Sequence, residues 1–318
     1  MKKISVLLFL SILLCSINIS AQVITVRGKI TNKKTEEPLP YANIIFENYG
    51  MGASTNQNGE FGFSIPDSLR NENIVVSYVG FEKEKFSISQ VLRDGKIKLT
   101  PKDENLDEVR ISQILEKKRY VYRPENLYES MGIGNMNAAL YPSTIARYYP
   151  KPEKFEGDSF FDYIQVYFYN VREQNHLAPK FRLHIYKVQE NGMPGEDILD
   201  NMVLEKSPFE TNMKVELLDK KIRVPEEGFF VGLEHIFIKT NEYKEVKDYY
   251  MNDTLVAKDY ENKRYAPVYR GVFTDKSDDL KVYYYEPGGW VDISAWDIKG
   301  DVSEKSYVAP VFKIRLTN

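Results

Sequence analysis

Residues 38–61 read Pro38-Leu39-Pro40-Tyr41-Ala42-Asn43-Ile44-Ile45-Phe46-Glu47-Asn48-Tyr49-Gly50-Met51-Gly52-Ala53-Ser54-Thr55-Asn56-Gln57-Asn58-Gly59-Glu60-Phe61. In this stretch Tyr41, Asn43 and Ile45 alternate with Ala42, Ile44 and Phe46, the period of a strand with one covered face. Asn58-Gly59 is a strong two-residue hairpin signal because both positions tolerate positive φ. The expectation is a hairpin: Ser54 to Asn56 turns at Gln57-Asn58-Gly59 and returns as Glu60 to Ile65, with Phe61, Phe63 and Ile65 on one face. The competing reading of Asn56-x-Asn58-Gly59-Glu60 as a calcium loop lacks the spaced carboxylates that such a loop needs.

Outward from this stretch, Val23 to about Pro101 shows short apolar runs separated by turn residues every eight to twelve positions, a β-sandwich spacing. Ile24 to Ile30 opens it, Ile74 to Phe81 supplies a buried strand and a turn, and Phe86-Ser87-Ile88 and Lys96 to Leu99 close it. Five motifs in order, Val26-x-Gly28-x-Ile30, Pro38 to Ile44, Gly52 to Phe61, Val76-Ser77-Tyr78-Val79-Gly80-Phe81 and Leu106-Asp107-Glu108-Val109, resemble the carboxypeptidase D regulatory-like domain. The resemblance implies a seven-stranded, transthyretin-like sandwich at the front of an exported protein of a Gram-negative bacterium. In TonB-dependent receptors the Leu-Asp-Glu-Val signature precedes a plug and a barrel. This chain stops at Asn318, so it looks like a short member without the receptor barrel, and receptor function is not carried over.

The family name invites a peptidase reading, which the residues test. A zinc carboxypeptidase needs an H-x-x-E pair and a further histidine, two imidazoles and a carboxylate leaving the metal an open position for water. The three histidines, His176, His184 and His235, are followed three places on by Pro179, Lys187 and Ile238. Neither H-x-x-E nor H-E-x-x-H occurs, so no metal and no cofactor is expected. There is also no G-x-S-x-G elbow, and Gly132-x-Gly134 has Asn137 where a phosphate loop would carry its third glycine.

Lys2-Lys3, an apolar run from Ile4 to Ile17, and Ser20-Ala21 before Gln22 have the layout of a secretory signal peptide, too short for a spanning helix. The one cysteine, Cys15, falls inside it, so the exported chain would have no disulfide. A lipoprotein reading of Cys15 meets Leu14 where a small residue is expected. With 43 basic against 46 acidic residues and a net charge of −3, the chain lacks the basic stripe of a nucleic-acid or anionic-lipid binder. No membrane span is expected. The boundaries read as 1–21 signal peptide, 22–101 regulatory-like domain, 102–155 connector with a short helix over 111–119, and 156–318 a second, jelly-roll-like β-sandwich, making the fold class all-β.

In the second sandwich, Ile164, Val166 and Phe168 face a core while Tyr163, Gln165, Tyr167 and Tyr169 form a tyrosine stripe. Phe181, Leu183 and Ile185 alternate with Arg182, His184 and Tyr186, which places His184 outward. Residues 229–238 read as a central strand on which Glu234 and His235 point to opposite sides, and 241–264 reads as a charged insertion. Tyrosine joins a flat apolar ring to a polar tip, suited to sugars or protein partners. The candidate ligand-binding residues are therefore Tyr163, Tyr167, Tyr169, Arg182, His184, Tyr186, Trp290 and Trp296, with Tyr283, Tyr284 and Tyr285 beside them. An exposed concave row favours binding, whereas burial of the row beneath Tyr141 to Tyr149 favours a structural role. The functional expectation is a non-catalytic exported accessory or binding protein of the periplasm or cell surface, its partner a glycan or a cell-envelope protein. The alternative is a glycoside hydrolase with a carboxylate pair, whose separation a sequence does not reveal.

Overall fold

Seven strands form between Val23 and Leu99: β1 (Val23–Asn32), β2 (Asn43–Phe46), β3 (Met51–Ser54), β4 (Glu60–Pro66), β5 (Asn73–Ser77), β6 (Glu84–Ser87) and β7 (Lys96–Leu99). They make two sheets, β4-β1-β7 and β3-β2-β5-β6, packed face to face over Val26, Ile30, Ile44, Phe46, Phe61, Ile74, Val76 and Ile97. The seven-stranded sandwich expected from the sequence is present. The computed structural model describes residues 22–46, 48–102, 114–115, 117–124, 127–128, 130–134, 141–155, 157–251, 254–274, 280–293 and 307–318. The expected signal segment, the Leu106-Asp107-Glu108-Val109 signature and Trp296 lie outside the described residues.

The turn at Asn56 forms as read. Asn56 Oδ1 accepts the Asn58 and Glu60 amides at 2.9 and 3.0 Å, and Gly59 sits at φ +72°, where only glycine is free of strain. It does not close a hairpin, because β3 and β4 belong to different sheets. The chain arches across the sandwich, held by buried Thr55, whose hydroxyl donates to the Leu39 carbonyl at 2.7 Å and accepts the Ala42 amide at 2.8 Å. Phe61 and Ile65 enter the core as expected, with Phe63 packed beside them. The closing strand ends at Ser87, whose side chain caps α1 (Ile88–Asp94) by accepting the Gln90 amide, and Gly95 stops that helix in the left-handed region.

The second body is larger and begins earlier than expected. Its strands are β8 (Arg119–Tyr122), β9 (Ser130–Ile133), β10 (Thr144–Tyr149), β11 (Phe160–Tyr167), β12 (Lys180–Val188), β13 (Pro194–Asp197), β14 (Met202–Glu205), β15 (Asn212–Glu216), β16 (Phe229–His235), β17 (Glu242–Met251), β18 (Thr254–Tyr265), β19 (Tyr269–Thr274), β20 (Val282–Glu286), β21 (Gly289–Asp292), β22 (Tyr307–Pro310) and β23 (Phe312–Thr317). One sheet runs β13-β12-β16-β10-β20-β21 with β14 also on β12; the facing sheet runs β15-β11-β23-β8; β22-β19-β9 forms a third. Ile145, Phe181, Leu183, Ile185, Phe229, Val231 and Leu233 from the first meet Phe161, Ile164, Val166, Phe312, Ile314 and Leu316 from the second in one core.

Three strands thus come from the stretch assigned to a connector, and β10 stands between β16 and β20 in the middle of the large sheet. The described part of the expected helix is not helical. The Leu115 amide donates to the Asn318 carbonyl at 2.8 Å and the Lys118 amide to Asn318 Oδ1 at 2.7 Å, so the chain runs alongside the end of β23 before β8 pairs with it. The charged insertion is a two-stranded ribbon, β17-β18, laced by Lys244–Glu261, Lys263–Glu242 and Arg264–Glu245 pairs.

Phe161 is fully buried with its ring edge-on to Phe229 at 4.7 Å. Phe161→Ala is expected to destabilise the chain by about 3–5 kcal/mol through the cavity it leaves, whereas Val246→Thr on the exposed ribbon stays within about 0.5 kcal/mol. Guanidinium unfolding of the two variants checks the difference.

Candidate functional site

The alternation of β12 is the one expected: Phe181, Leu183 and Ile185 lie in the core and Arg182, His184 and Tyr186 take the other face. That face is not open, and the outward placement of His184 is corrected. Arg182 is 1% and His184 3% exposed. Arg182 Nη1 donates to Glu234 Oε1 at 2.5 Å, Nε to Asn201 Oδ1 at 2.7 Å, and Nη2 to the Tyr41 carbonyl at 2.7 Å. Its guanidinium lies over the Tyr78 ring, and Tyr78 Oη accepts Asn201 Nδ2 at 2.5 Å. Glu234 Oε1 also accepts Asn43 Nδ2 at 2.9 Å, and Glu234 Oε2 lies 2.9 Å from His184 Nε2. The other His184 nitrogen is 2.7 Å from Asp197 Oδ2.

Tyr41, Asn43 and Tyr78 belong to the first body. Its sheet β3-β2-β5-β6 is therefore covered on both sides: Ile45 and Val75, cross-strand partners on the face away from the core, are also buried. Ser54 exchanges hydrogen bonds with Phe237, its amide donating to the carbonyl at 2.9 Å and its hydroxyl accepting the amide at 3.0 Å. A Cβ on Gly52 would come within 2.9 Å of Pro142 and 3.0 Å of Tyr141. A Cβ on Gly232 would come within 2.8 Å of the Tyr186 ring, so a glycine in a central strand makes room for His184 and Tyr186 to lie across it. The cover over the β12 row is divided: the first body lies over Arg182, while Tyr186 packs with Ala146, Tyr148 and Trp290; Tyr149 is in the core.

The other candidates separate. Tyr186 stacks on His184 and meets Trp290 edge-on at 5.4 Å, and Trp290 meets Tyr285 at 5.0 Å. Tyr169 lies past the end of β11, its ring against Gly132, and leaves the stripe. Tyr163 and Tyr167 remain on the outer face of β11, on the far side of the sandwich from the first body. Tyr163 is buried beneath cations, with Arg315 and Lys214 each 4.5 Å from its ring centre, while Tyr167 is half-buried. Arg315 forms a two-pronged pair with Asp162. Val121, Arg123, Pro124, Tyr163, Tyr167, Lys313 and Arg315 line a shallow cleft of about 560 Å³ on this face.

Residues 26–111 match the family model of the CarboxypepD_reg-like domain. No curated protein matches the chain. The matched segment holds every first-body residue of the buried network, Tyr41, Asn43 and Tyr78, so the regulatory-like domain supplies one wall of that network and β12 and β16 supply the other. Such a domain is compatible with a non-catalytic accessory module.

The network is balanced in charge. Burial alone would lower the His184 pKa, but Asp197 and Glu234, each accepting from one ring nitrogen, hold it up at about 9. Burial alone would raise Glu234, but the Arg182 charge, the His184 hydrogen bond and charge and the Asn43 amide bring it down to about 2. Arg182⁺ and His184⁺ thus face Glu234⁻ and Asp197⁻ with every carboxylate oxygen of Glu234 engaged. Among the described residues no group of three His, Cys, Asp or Glu is placed to hold a metal ion. Glu234 and His235 point to opposite sides, as expected. His235 turns into the core against Tyr269, 4.6 Å between ring centres, and burial, offset only in part by the Pro267 and Ser143 backbone and by Glu234, pushes its pKa down to about 4.

Sequence reading found Arg182 and His184 but missed Glu234 as their partner, together with Tyr41, Asn43, Tyr78, Asp197 and Asn201. It also missed Lys313 and Arg315, although the alternation of Phe312, Ile314 and Leu316 with these two cations is legible in β23.

Removing one partner of a buried charged pair leaves the other unpaired, so Glu234→Gln is expected to cost about 3–5 kcal/mol. The His184 pKa is raised on folding, so its contribution is full below the unfolded value of about 6.5 and is lost as pH rises through about 9. His235 is lowered, so its contribution is full above about 6.5 and is lost as pH falls toward 4. Unfolding free energies measured from pH 4 to 10 are expected to peak between these limbs, with the alkaline limb, up to about 3 kcal/mol, absent in His184→Gln.

Proposed function

We propose that the protein is a non-catalytic exported accessory or binding protein, in which the regulatory-like domain is the docking or spacer unit and the second sandwich carries the ligand face. The observation that carries this reading is the buried Arg182–Glu234–His184–Asp197 set. The residues best suited to acid–base chemistry are locked in ion pairs with one another within the second body, the set is tied to the first body through the Tyr41 carbonyl and the Asn43 and Tyr78 side chains, and none of its members lines the cleft around Tyr167. The open aromatic surface with cations lies on the opposite sheet, around Tyr167. A carboxylate pair for glycoside hydrolysis has no counterpart there, since no carboxylate lines the cleft among the described residues.

Export rests on the layout of the first 21 residues and places the protein in the periplasm or at the cell surface. The ligand reading gives the second sandwich a glycan or an envelope protein. No helix among the described residues is long and apolar enough to cross a membrane.

A fragment beginning at residue 156 would lack β10, so binding is tested on the exported form of the whole chain. Screening it against glycan and envelope-protein arrays is expected to give hits that Tyr167→Ala weakens by more than it lowers stability. A loss of stability with unchanged affinity would remove the tyrosine face from consideration. Mass spectrometry of the protein recovered from its host is expected to find Gln22 at the amino terminus; an intact Met1 would end the export reading.

A further inference from the structure

Strand pairing sets the layout of the cleft. Tyr163 and Tyr167 are four residues apart on β11, about 13 Å along the strand. Lys313 is the register partner of Gln165, between the two rings, and Arg315 is the partner of Tyr163. On the other side Lys214 faces Gln165 and Asn212 faces Tyr167. Arg315 uses Nε and Nη2 on Asp162 and keeps Nη1 for another acceptor. Lys214 is paired with Glu216, whereas Lys313 makes no ion pair among the described residues. Gln165 donates through Nε2 to Asn212 Oδ1 at 2.7 Å, which leaves Gln165 Oε1 to accept a hydroxyl. Glu216 faces Tyr163 and with Asp162 offsets part of the charge of Lys214, Lys313 and Arg315, so the surface keeps a net positive charge on a chain of net charge −3.

We propose that this cleft binds an acidic glycan, a run of sugars bearing carboxylate or sulfate groups, with a sugar ring against Tyr167 and the anion on Lys313 and Arg315. The proposal rests on the reading of this sheet face as the ligand face and adds the class of ligand. Charge complementarity selects an anion. An aromatic ring beside amide side chains selects a ligand with both C–H faces and hydroxyls. An acidic peptide fits less well, because extended peptides gain affinity by pairing with a free strand edge. Here β11 is paired on both sides, by β15 and β23, so the cleft offers side chains only.

The test uses the exported form of the whole chain with three probes: polygalacturonate, neutral dextran and poly-L-glutamate. Polygalacturonate is expected to bind at least about tenfold more tightly than either of the others. Lys313→Gln and Tyr167→Ala are each expected to weaken it about tenfold, with unfolding midpoints unchanged, and Lys258→Gln on the distant ribbon is expected to leave it as it is. Equal binding of dextran, insensitive to Lys313→Gln but lost in Tyr167→Ala, would overturn the acidic class while leaving the ligand face standing. Equal binding of poly-L-glutamate would show that charge alone is read and would overturn the glycan. Failure of all three probes to bind, or binding that neither variant alters, would overturn the cleft as the site.

Discussion

A guanidinium removed from water must find acceptors for its donors, and Arg182 finds them in both halves of the chain: a carboxylate and an amide oxygen in the second body and a backbone carbonyl in the first. The Tyr41 carbonyl is fixed by the approach to β2, and Glu234 by its place on the central strand. Neither half alone satisfies the set. Buried ion pairs of this kind add little net stability over apolar packing, because desolvation offsets most of the attraction. The hydrogen bonds that cross to the first body do make a wrong docking angle costly, since a small rotation would leave the Arg182 Nη2 donor and the Asn43 amide without partners in a dry interface. The glycines follow from the same constraint: Gly52 lets Tyr141 and Pro142 close on the first body, and Gly232 lets His184 and Tyr186 lie flat.

One outer face of the second sandwich is committed to this contact, and the other outer face, that of β15-β11-β23-β8, is not. The tyrosine row on β11 and the cations of β23 lie there, and they are neighbours through pairing rather than through sequence: Tyr163 and Arg315 are 152 positions apart yet opposite each other in register. The arrangement puts the contact with the first body and the tyrosine–cation face on opposite sides of one core. His184 and Glu234 sit in that contact, and ion pairing and hydrogen bonding set against burial account for their shifted pKa values.

Periodicity carried much of the fold. Alternation identified β11 and β12 and assigned their core faces, an unbroken apolar run identified β16 as a central strand, and β2 was read with one covered face where both are buried; the Asn56 to Gly59 turn formed where its residues required it. The misreadings share a cause. Asn56 to Gly59 specifies a reversal of direction but not which sheet receives the next strand, so an arch was read as a hairpin. The segment 102–155 has weak alternation, and its strands exist because β16, β19, β20 and β23 offer them edges. The helix after Ser87 was legible, with a serine cap, apolar residues at 88, 91 and 92 and a terminal glycine, but lies inside a β-rich rhythm that masked it.

By itself the sequence determined the strand class, the first sandwich and its family resemblance, and which side chains share a face, because these depend on local periodicity and turn chemistry. It did not determine whether a polar face meets water or another domain. The row Arg182, His184 and Tyr186 has the composition of a solvated surface, and its burial follows from partners far along the chain, among them positions 41, 78, 234 and 290. Tertiary structure decided which tyrosines stay open and which cations stand beside them, because strand register and domain docking bring together residues that no spacing along the chain connects.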